Sequence, residues 1–365
     1  MQDKIIRIGI AGQGRSGYKI HAERLTKKQD QYRITAVADQ LPERRADARN
    51  EFGARAYADY KDLIRAGGFD LFVNALPSPL HVPATIEALQ AGYHVVCEKP
   101  MAKSVADFDK MVAASKKTGL LLAPFQNNRL QPFFDKMMEI IQSGVLGKII
   151  YIRTTWSYFS RRWDWQTLQQ NMGGCLFNTG PHVVDQALML FPENVKPKIF
   201  CRMACNNQLG GDAEDFCALT LYGSGAPTIE INISSYLAYP QGERYSICGT
   251  LGGLSGGEFQ LRWKYYDPQK APKQKFWKKW SVDRQYPHEE LPWVEKSWQI
   301  EQEKTKNAVG YTLRSFPIGA ERFYDNIHNV LHGKEELIIT LPQVRRQIAI
   351  LEEAHRQNKL PIKKD

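Results

Sequence analysis

The chain has 365 residues, 43% hydrophobic and 24% charged. That is an ordinary globular composition, which excludes disordered and fibrous classes, and the length suits two domains better than one core. No apolar run approaches the roughly 20 residues needed to span a bilayer, and MQDKIIRIGIAG lacks the zones of a signal peptide, so a cytoplasmic protein without a membrane partner is expected. The net charge of +10 raises nucleic acid as a partner, but much of the excess lies in KAPKQKFWKKW (270–280) and KLPIKKD (359–365). Neither forms a recognisable reading helix or ribonucleoprotein motif, so a solvated basic loop or the attraction of an anionic ligand is expected, and not nucleic acid.

Strand and helix signals alternate over the first 124 residues. Apolar runs at 5–12, 32–39, 70–76, 93–98 and 119–124 predict strands, and the segments near 18–29, 43–52, 82–91 and 104–117 predict helices. Ser104 followed by Asp107 reads as a capping arrangement, and Gly119 as a stop. This alternation predicts an α/β unit, a doubly wound parallel sheet over 1–124. An amphipathic helix over 129–147 follows. After it, runs such as KIIYIRTTWS, DFCALTLYG, PTIEINISS and FQLRWKYY predict an open, mostly antiparallel sheet. One helix near Pro181 interrupts them, and two helices near 317–332 and 341–358 close the chain. The region 125–365 is therefore expected to be a second, α+β domain for substrate binding and oligomerisation, its closing helices free to pack back on the first. Residues 266–315, rich in Pro, Trp and Lys, read as a long loop, arm or lid. The six cysteines, at 97, 175, 201, 205, 217 and 248, sit mostly in apolar runs without zinc-finger spacing, so free thiols and no metal are expected.

In IGIAGQGRSG, Gly12, Gly14 and Gly17 have GxGxxG spacing between a strand and a helix. Gly12 suits the tight turn, Gly14 lets backbone approach a pyrophosphate, and Gly17 lets helix and sheet come close. Gln13, Arg15 and Ser16 belong to the same loop. Asp39 ends the second strand where a ribose-binding acid is expected, which favours NAD over NADP, although Arg44 and Arg45 could soften that preference. In HVVCEKP (94–100) an apolar strand stops on Glu98, Lys99 and Pro100, and the proline restricts Lys99 to extended backbone. A lysine there either points into water or is held at a site.

These segments, with PSPLH (77–81), QNNRLQPFFDKMMEIIQSGVLGKI (126–149) and GGCLFNTGPHVVDQAL (173–188), succeed one another along essentially the whole chain as they do in the glucose–fructose oxidoreductase/inositol dehydrogenase/rhizopine-catabolism (Gfo/Idh/MocA) family, which this sequence resembles. The resemblance implies that Lys99 orients the substrate ahead of a Lys–Pro bond that is often cis. It also implies that Pro77, Ser78 and His81 lie near the cofactor, that Glu98 and Gln126 approach the nicotinamide end, and that His182 is the catalytic histidine. It further implies a homodimer or homotetramer. Pro181 suits a first helical position, which places His182 in a first turn where the helix dipole disfavours imidazolium. Asp185 could orient that ring or merely pack. Asn178 stands where the family usually has Asp, and an amide cannot take a proton. SRRWDWQ offers Arg161, Arg162, Trp163, Asp164 and Trp165 as sugar- or anion-binding groups or as a solvated turn with core tryptophans. The expectation is an NAD-dependent dehydrogenase of a sugar or cyclitol. Two alternatives stay open: an NAD-retaining glycoside-cleaving enzyme, and a non-catalytic sugar and cofactor sensor.

Overall fold

The computed structural model describes residues 4–207, 209–239, 242–280, 284–300 and 315–362. β1 (Ile6–Ala11) buries every position except Arg7, the pattern of a strand covered on both faces. The chain turns at Gly12 into a helix that is π-helical over Ser16–Ala22 and finishes as α1 (Glu23–Leu25). The helix predicted over 18–29 therefore starts earlier and ends sooner. The backbone N–H groups of Gln31 and Tyr32 both turn back onto the Lys28 carbonyl and lead straight into the next strand.

That strand is β2 (Tyr32–Ala38), followed by α2 (Pro42–Phe52), β3 (Arg55–Tyr57), α3 (Tyr60–Ala66), β4 (Leu71–Asn74), α4 (His81–Gln90), β5 (His94–Cys97), α5 (Val105–Thr118) and β6 (Leu122–Pro124). β3 and α3 are additions to the expected set. A three-residue strand is too short to show a period, and α3 starts on a local device, the Asp59 carboxylate accepting the Lys61 N–H at 2.7 Å. α5 begins as read, with Ser104 Oγ accepting the Asp107 N–H at 3.1 Å, and ends at Gly119 in left-handed backbone. The six strands are all parallel, in the order β3-β2-β1-β4-β5-β6. Strand order reverses between the two neighbours of β1, so a crevice opens there at the carboxyl ends of β1 and β4.

A 3-10 turn, Asn127–Leu130, leads into α6 (Pro132–Gln142). α6 is shorter than the predicted helix because Gln131 is extended and Pro132 sits in the first turn. The second sheet holds β7 (Ile149–Ser157), β8 (Lys198–Ala204), β9 (Phe216–Tyr222), β10 (Thr228–Ser234), β11 (Tyr245–Gly249), β12 (Gly252–Gly256), β13 (Gln260–Tyr266) and β14 (Trp293–Gln299), in the order β14-β13-β12-β11-β7-β10-β9-β8. Its pairs are antiparallel except β7 with β10. α7 (Cys175–Asn178) and α8 (Gly180–Met189) lie between β7 and β8, and α9 (Ser315–Leu331) and α10 (Leu341–Gln357) close the chain. The segment 266–315 is thus not all loop, since β14 pairs along the length of β13. Residues 281–283 and 301–314 of it lie outside the described residues.

Two apolar cores result. The first includes Ile8, Ile10, Phe72, Phe108 and Phe125, and the second Phe133, Met137, Val183, Ile231 and Ile247. Each such side chain contributes about 1.5–3 kcal/mol by leaving water. α10 touches both cores: Val344 and Ile348 belong to the first, Ile350, Leu351 and Ala354 to the second. α9 gives Phe323, Tyr324 and Ile327 to the first. No helix of the described residues is long and apolar enough to cross a membrane.

Candidate active site

The crevice is shaped by what its glycines exclude. A Cβ on Gly17 would lie 1.7 Å from the Gly12 carbonyl oxygen, and one on Gly12, at φ +89°, would lie 2.3 Å from the Ala75 carbonyl oxygen. Over Gly14 the nearest atom to an added Cβ is an Arg44 nitrogen at 3.8 Å, so backbone is open to a ligand there. Arg15 and Ser16 continue the loop, with Arg15 exposed. Asp39 is fixed at the tip of β2: its carboxylate accepts the Gln13 N–H at 2.7 Å and the Leu41 N–H at 2.9 Å, with Arg44 at 3.3 Å. Arg45 instead donates to the Asp39 and Gln40 carbonyls. Gln13 Oε1 and Gln126 Oε1 are buried without a hydrogen-bond partner. A tight turn, an open backbone, a held carboxylate and orphaned amide oxygens fit a dinucleotide.

At the next strand ends the site changes character. Pro77 is exposed and Ser78 buried. His81 is buried with Nδ1 2.8 Å from the Pro100 carbonyl and Nε2 2.8 Å from the Leu76 carbonyl. Each ring nitrogen faces a backbone carbonyl; burial lowers the pKa against the pull of those carbonyls and Glu98, and the neutral ring donates to one of them at a time. The structure gives His81 the task of tying the β4 loop to the segment after β5. The Lys99–Pro100 bond is cis.

Lys99 is half-buried and its Nζ donates to the Asn178 backbone carbonyl at 2.9 Å, joining the end of β5 to the end of α7. Burial lowers its pKa. Glu98 opposes that, while Arg15 and Arg162 add to it. The buried Glu98 accepts the Lys99 N–H at 3.0 Å and faces His21 Nε2 at 3.3 Å. Burial works against its ionisation, but His21, Lys99 and His81 outweigh it and hold the carboxyl at about 2.

His182 sits in the first turn of α8, buried, with Nδ1 unpartnered. It stacks on Trp156, 5.9 Å between centroids, and the Arg244 guanidinium lies over the same indole at 4.0 Å. Burial first, then Lys99 and Arg244, push its pKa well down, with Glu98 opposing, so the ring stays a neutral base. Asp185 does not orient that ring. Its carboxylate forms a buried bidentate pair with Arg129, whose Nε donates at 2.8 Å. The three-residue spacing from His182 leaves both readings open, and the position of Arg129 decides between them.

A cavity lined by Arg161, Arg162, Cys175, Asn178, Thr179 and Glu214 lies beside the Lys99–Asn178 contact. Arg162 is aimed by Asp164 and Gln166, at 2.9 and 2.6 Å. Trp163 and Trp165, 76% and 43% exposed, are not among the lining residues. Trp156, four residues before the SRRWDWQ stretch, and Arg244, two residues after Gly242, were missed because nothing local marks a strand tryptophan or an arginine after a turn. His21 left a weak signal, a histidine within the apolar face Ile20, Ala22 and Leu25.

Residues 6–125 match the model of an oxidoreductase family with an NAD-binding Rossmann fold, and residues 134–255 match the GFO/IDH/MocA C-terminal domain. The chain is 29% identical over 256 residues to myo-inositol 2-dehydrogenase of Thermotoga maritima, covering 68% of this chain and 74% of that one. It is 27% identical over 266 residues to scyllo-inositol 2-dehydrogenase (NADP(+)) IolW of Bacillus subtilis, covering 70% and 72%. In fold it is similar to the WlbA dehydrogenase of Bordetella pertussis, solved with NADH and UDP-GlcNAcA, at a TM-score of 0.77 with 24% identity over 98% and 96% of the two chains. With both halves matched on either side of the crevice, the chain belongs to the Gfo/Idh/MocA family of NAD-binding oxidoreductases.

Proposed function

We propose that the protein is an NAD-dependent dehydrogenase that oxidises a secondary hydroxyl of a sugar, cyclitol or sugar derivative to a ketone. The observation that carries this reading is the pairing of an unpartnered, neutral His182 nitrogen with a Lys99 ammonium close enough to depress its pKa. Bound NAD supplies the acceptor for the hydride that leaves the hydroxyl-bearing carbon. His182 takes the hydroxyl proton, and Lys99 donates a hydrogen bond to the same oxygen as it becomes a carbonyl. The Asn178 carbonyl holds the ammonium in place beforehand, while the Asn178 side chain faces the cavity and hydrogen-bonds a substrate hydroxyl without accepting its proton. Arg162 is the better-placed cation for a substrate oxygen, because its field reaches Lys99.

In this reading the first 124 residues hold NAD, with Gly12, Gly14, Gly17 and Asp39 central, and the remainder carries the substrate side and the contacts of a homo-oligomer. The fixed Asp39 carboxylate supports NAD over NADP, since a 2′-phosphate would meet its charge. The names of the inositol dehydrogenases support a cyclitol among the substrates to try first.

The test is a panel of monosaccharides, inositols and glycosides, assayed for NAD reduction, with mass spectrometry of the products. Stoichiometric NADH with a ketone two mass units lighter than one of the polyols is the expected result. Cleavage of a glycoside without net NADH would replace this reading with a lyase or glycosidase. Binding of cofactor and sugar with no turnover would replace it with a sensor.

A further inference from the structure

A buried hydrogen-bond chain runs behind Lys99 and is not explained by cofactor or substrate contact. The Tyr324 hydroxyl of α9 lies 2.6 Å from His21 Nδ1, His21 Nε2 lies 3.3 Å from Glu98 Oε1, and Glu98 Oε2 accepts the Lys99 N–H at 3.0 Å. His21 is fully buried and packs against Phe125 at 4.4 Å between centroids. Tyr324 is fully buried too, its backbone carbonyl held by the Tyr32 hydroxyl at 2.6 Å. The polarity can be assigned without a charged imidazole: Tyr324 donates its O–H to Nδ1, Nε2–H donates to Glu98, and both ring nitrogens are satisfied.

We propose that His21 is a positioning residue that, backed by Tyr324, keeps Glu98 an oriented carboxylate beside Lys99 and thereby keeps the Lys99 side chain a charged donor during turnover. The inference rests on the reading of Lys99 as the donor to the reacting oxygen. Its physical basis is the surroundings of that ammonium. Arg15 and Arg162 act against the Lys99 ammonium, and among the described residues Glu98 is the charge that favours it. Glu98 in turn is surrounded by His21, His81 and Lys99, with Tyr324 behind His21. Both His81 ring nitrogens face backbone carbonyls, so apart from the Lys99 N–H, His21 supplies the side-chain hydrogen bond that orients the Glu98 carboxylate in an apolar place. Without that bond the carboxylate loses the side-chain donor that fixes its orientation, and its charge is held less closely to the ammonium.

The experiment is a titration of the Lys99 side-chain nitrogen by ¹⁵N NMR in lysine-labelled protein, its signal assigned by its loss in Lys99→Arg, beside the pH profile of kcat/KM. Glu98→Gln should lower the Lys99 midpoint, and with it the alkaline limb of activity, by roughly one pH unit. His21→Leu should move both in the same direction. His21→Gln, which keeps a donor toward Glu98 and an acceptor toward Tyr324, should restore most of the midpoint, and Tyr324→Phe should give a smaller shift than His21→Leu. The double variant His21→Leu/Glu98→Gln should shift no further than Glu98→Gln alone, because the histidine acts through the carboxylate. An unmoved Lys99 midpoint in His21→Leu, or a double variant whose shift is the sum of the two, overturns the proposal. So does a loss of NAD affinity in His21→Leu with the midpoint unchanged, which would make His21 a packing residue of the dinucleotide loop. The NMR arm needs no substrate, so it gives its answer even if no sugar or cyclitol is oxidised.

Discussion

Lys99 ends a strand and still points inward, because the chain after it is pinned by His81 on the Pro100 carbonyl and its ammonium is captured by the Asn178 carbonyl from another element. Replacing it with Ala should lower kcat/KM by roughly 10²-fold or more, the scale of one lost donor to a developing charge, and leave the Kd for NAD nearly unchanged. Steady-state kinetics beside a cofactor titration would check both halves. Asp39 belongs to the same scale. Its carboxylate holds the Gln13 and Leu41 N–H groups and, in the proposed reading, binds the ribose and repels a 2′-phosphate, so Asp39→Ala should weaken NAD by roughly tenfold while NADP changes less, narrowing the gap between them. Arg44, 3.3 Å from that carboxylate, is then released toward the ribose, which adds to the narrowing. Calorimetric titration with both nucleotides measures it. Tighter NADP than NAD binding by the natural protein would remove Asp39 from cofactor choice.

At the scale of elements, α8 does two jobs with residues three apart. His182 keeps Nδ1 unpartnered beside Trp156, while Asp185 is buried in a pair with Arg129 of the turn before α6. A buried ion pair gains little over an apolar one, but removing a single partner strands a charge at a cost of about 3–5 kcal/mol. Asp185→Ala should therefore destabilise the protein by about 3 kcal/mol or more in urea unfolding, yet leave the pH profile of the folded enzyme unmoved, because no bond links Asp185 to the imidazole. An altered acid limb would return Asp185 to the role of ring orienter. Gln343 of α10 also accepts from Arg129, so the same variant should loosen that helix.

At the scale of the whole molecule, α10 contributes side chains to both cores. All eight tryptophans lie at or beyond position 156, whereas Ile348 packs in the first core, with the parallel sheet. Ile348→Ala removes buried methylene groups at a cost of about 2–4 kcal/mol. If the cores unfold together, the tryptophan fluorescence transition should move to lower urea along with the far-ultraviolet circular dichroism, although no tryptophan belongs to the first core. A fluorescence midpoint unmoved while the dichroism splits into two steps would show that the halves unfold separately.

Periodicity and punctuation were enough for much of this architecture. The strand–helix alternation, the Gly12–Gly14–Gly17 turn with Asp39 beyond it, the caps at Ser104 and Gly119 and the helix opening at Pro181 depend on residues within a turn or two of one another, and such local physics is written in order along the chain. What local order could not carry were the short or glycine-rich strands β3 and β12 and the exposed β14, which exist because a neighbouring strand offers its unpaired backbone. The site divides in the same way. Lys99 and His182 stand out as candidates from the segments around them. The partners that set their chemistry, Asn178 through its backbone, Arg162, Trp156, Arg244 and the His21–Tyr324 pair, come from separate elements and are brought together only by packing. A pKa depends on burial and on charges a few ångströms away, and distances of that kind between residues as far apart as 21 and 324 are decided by the tertiary structure alone.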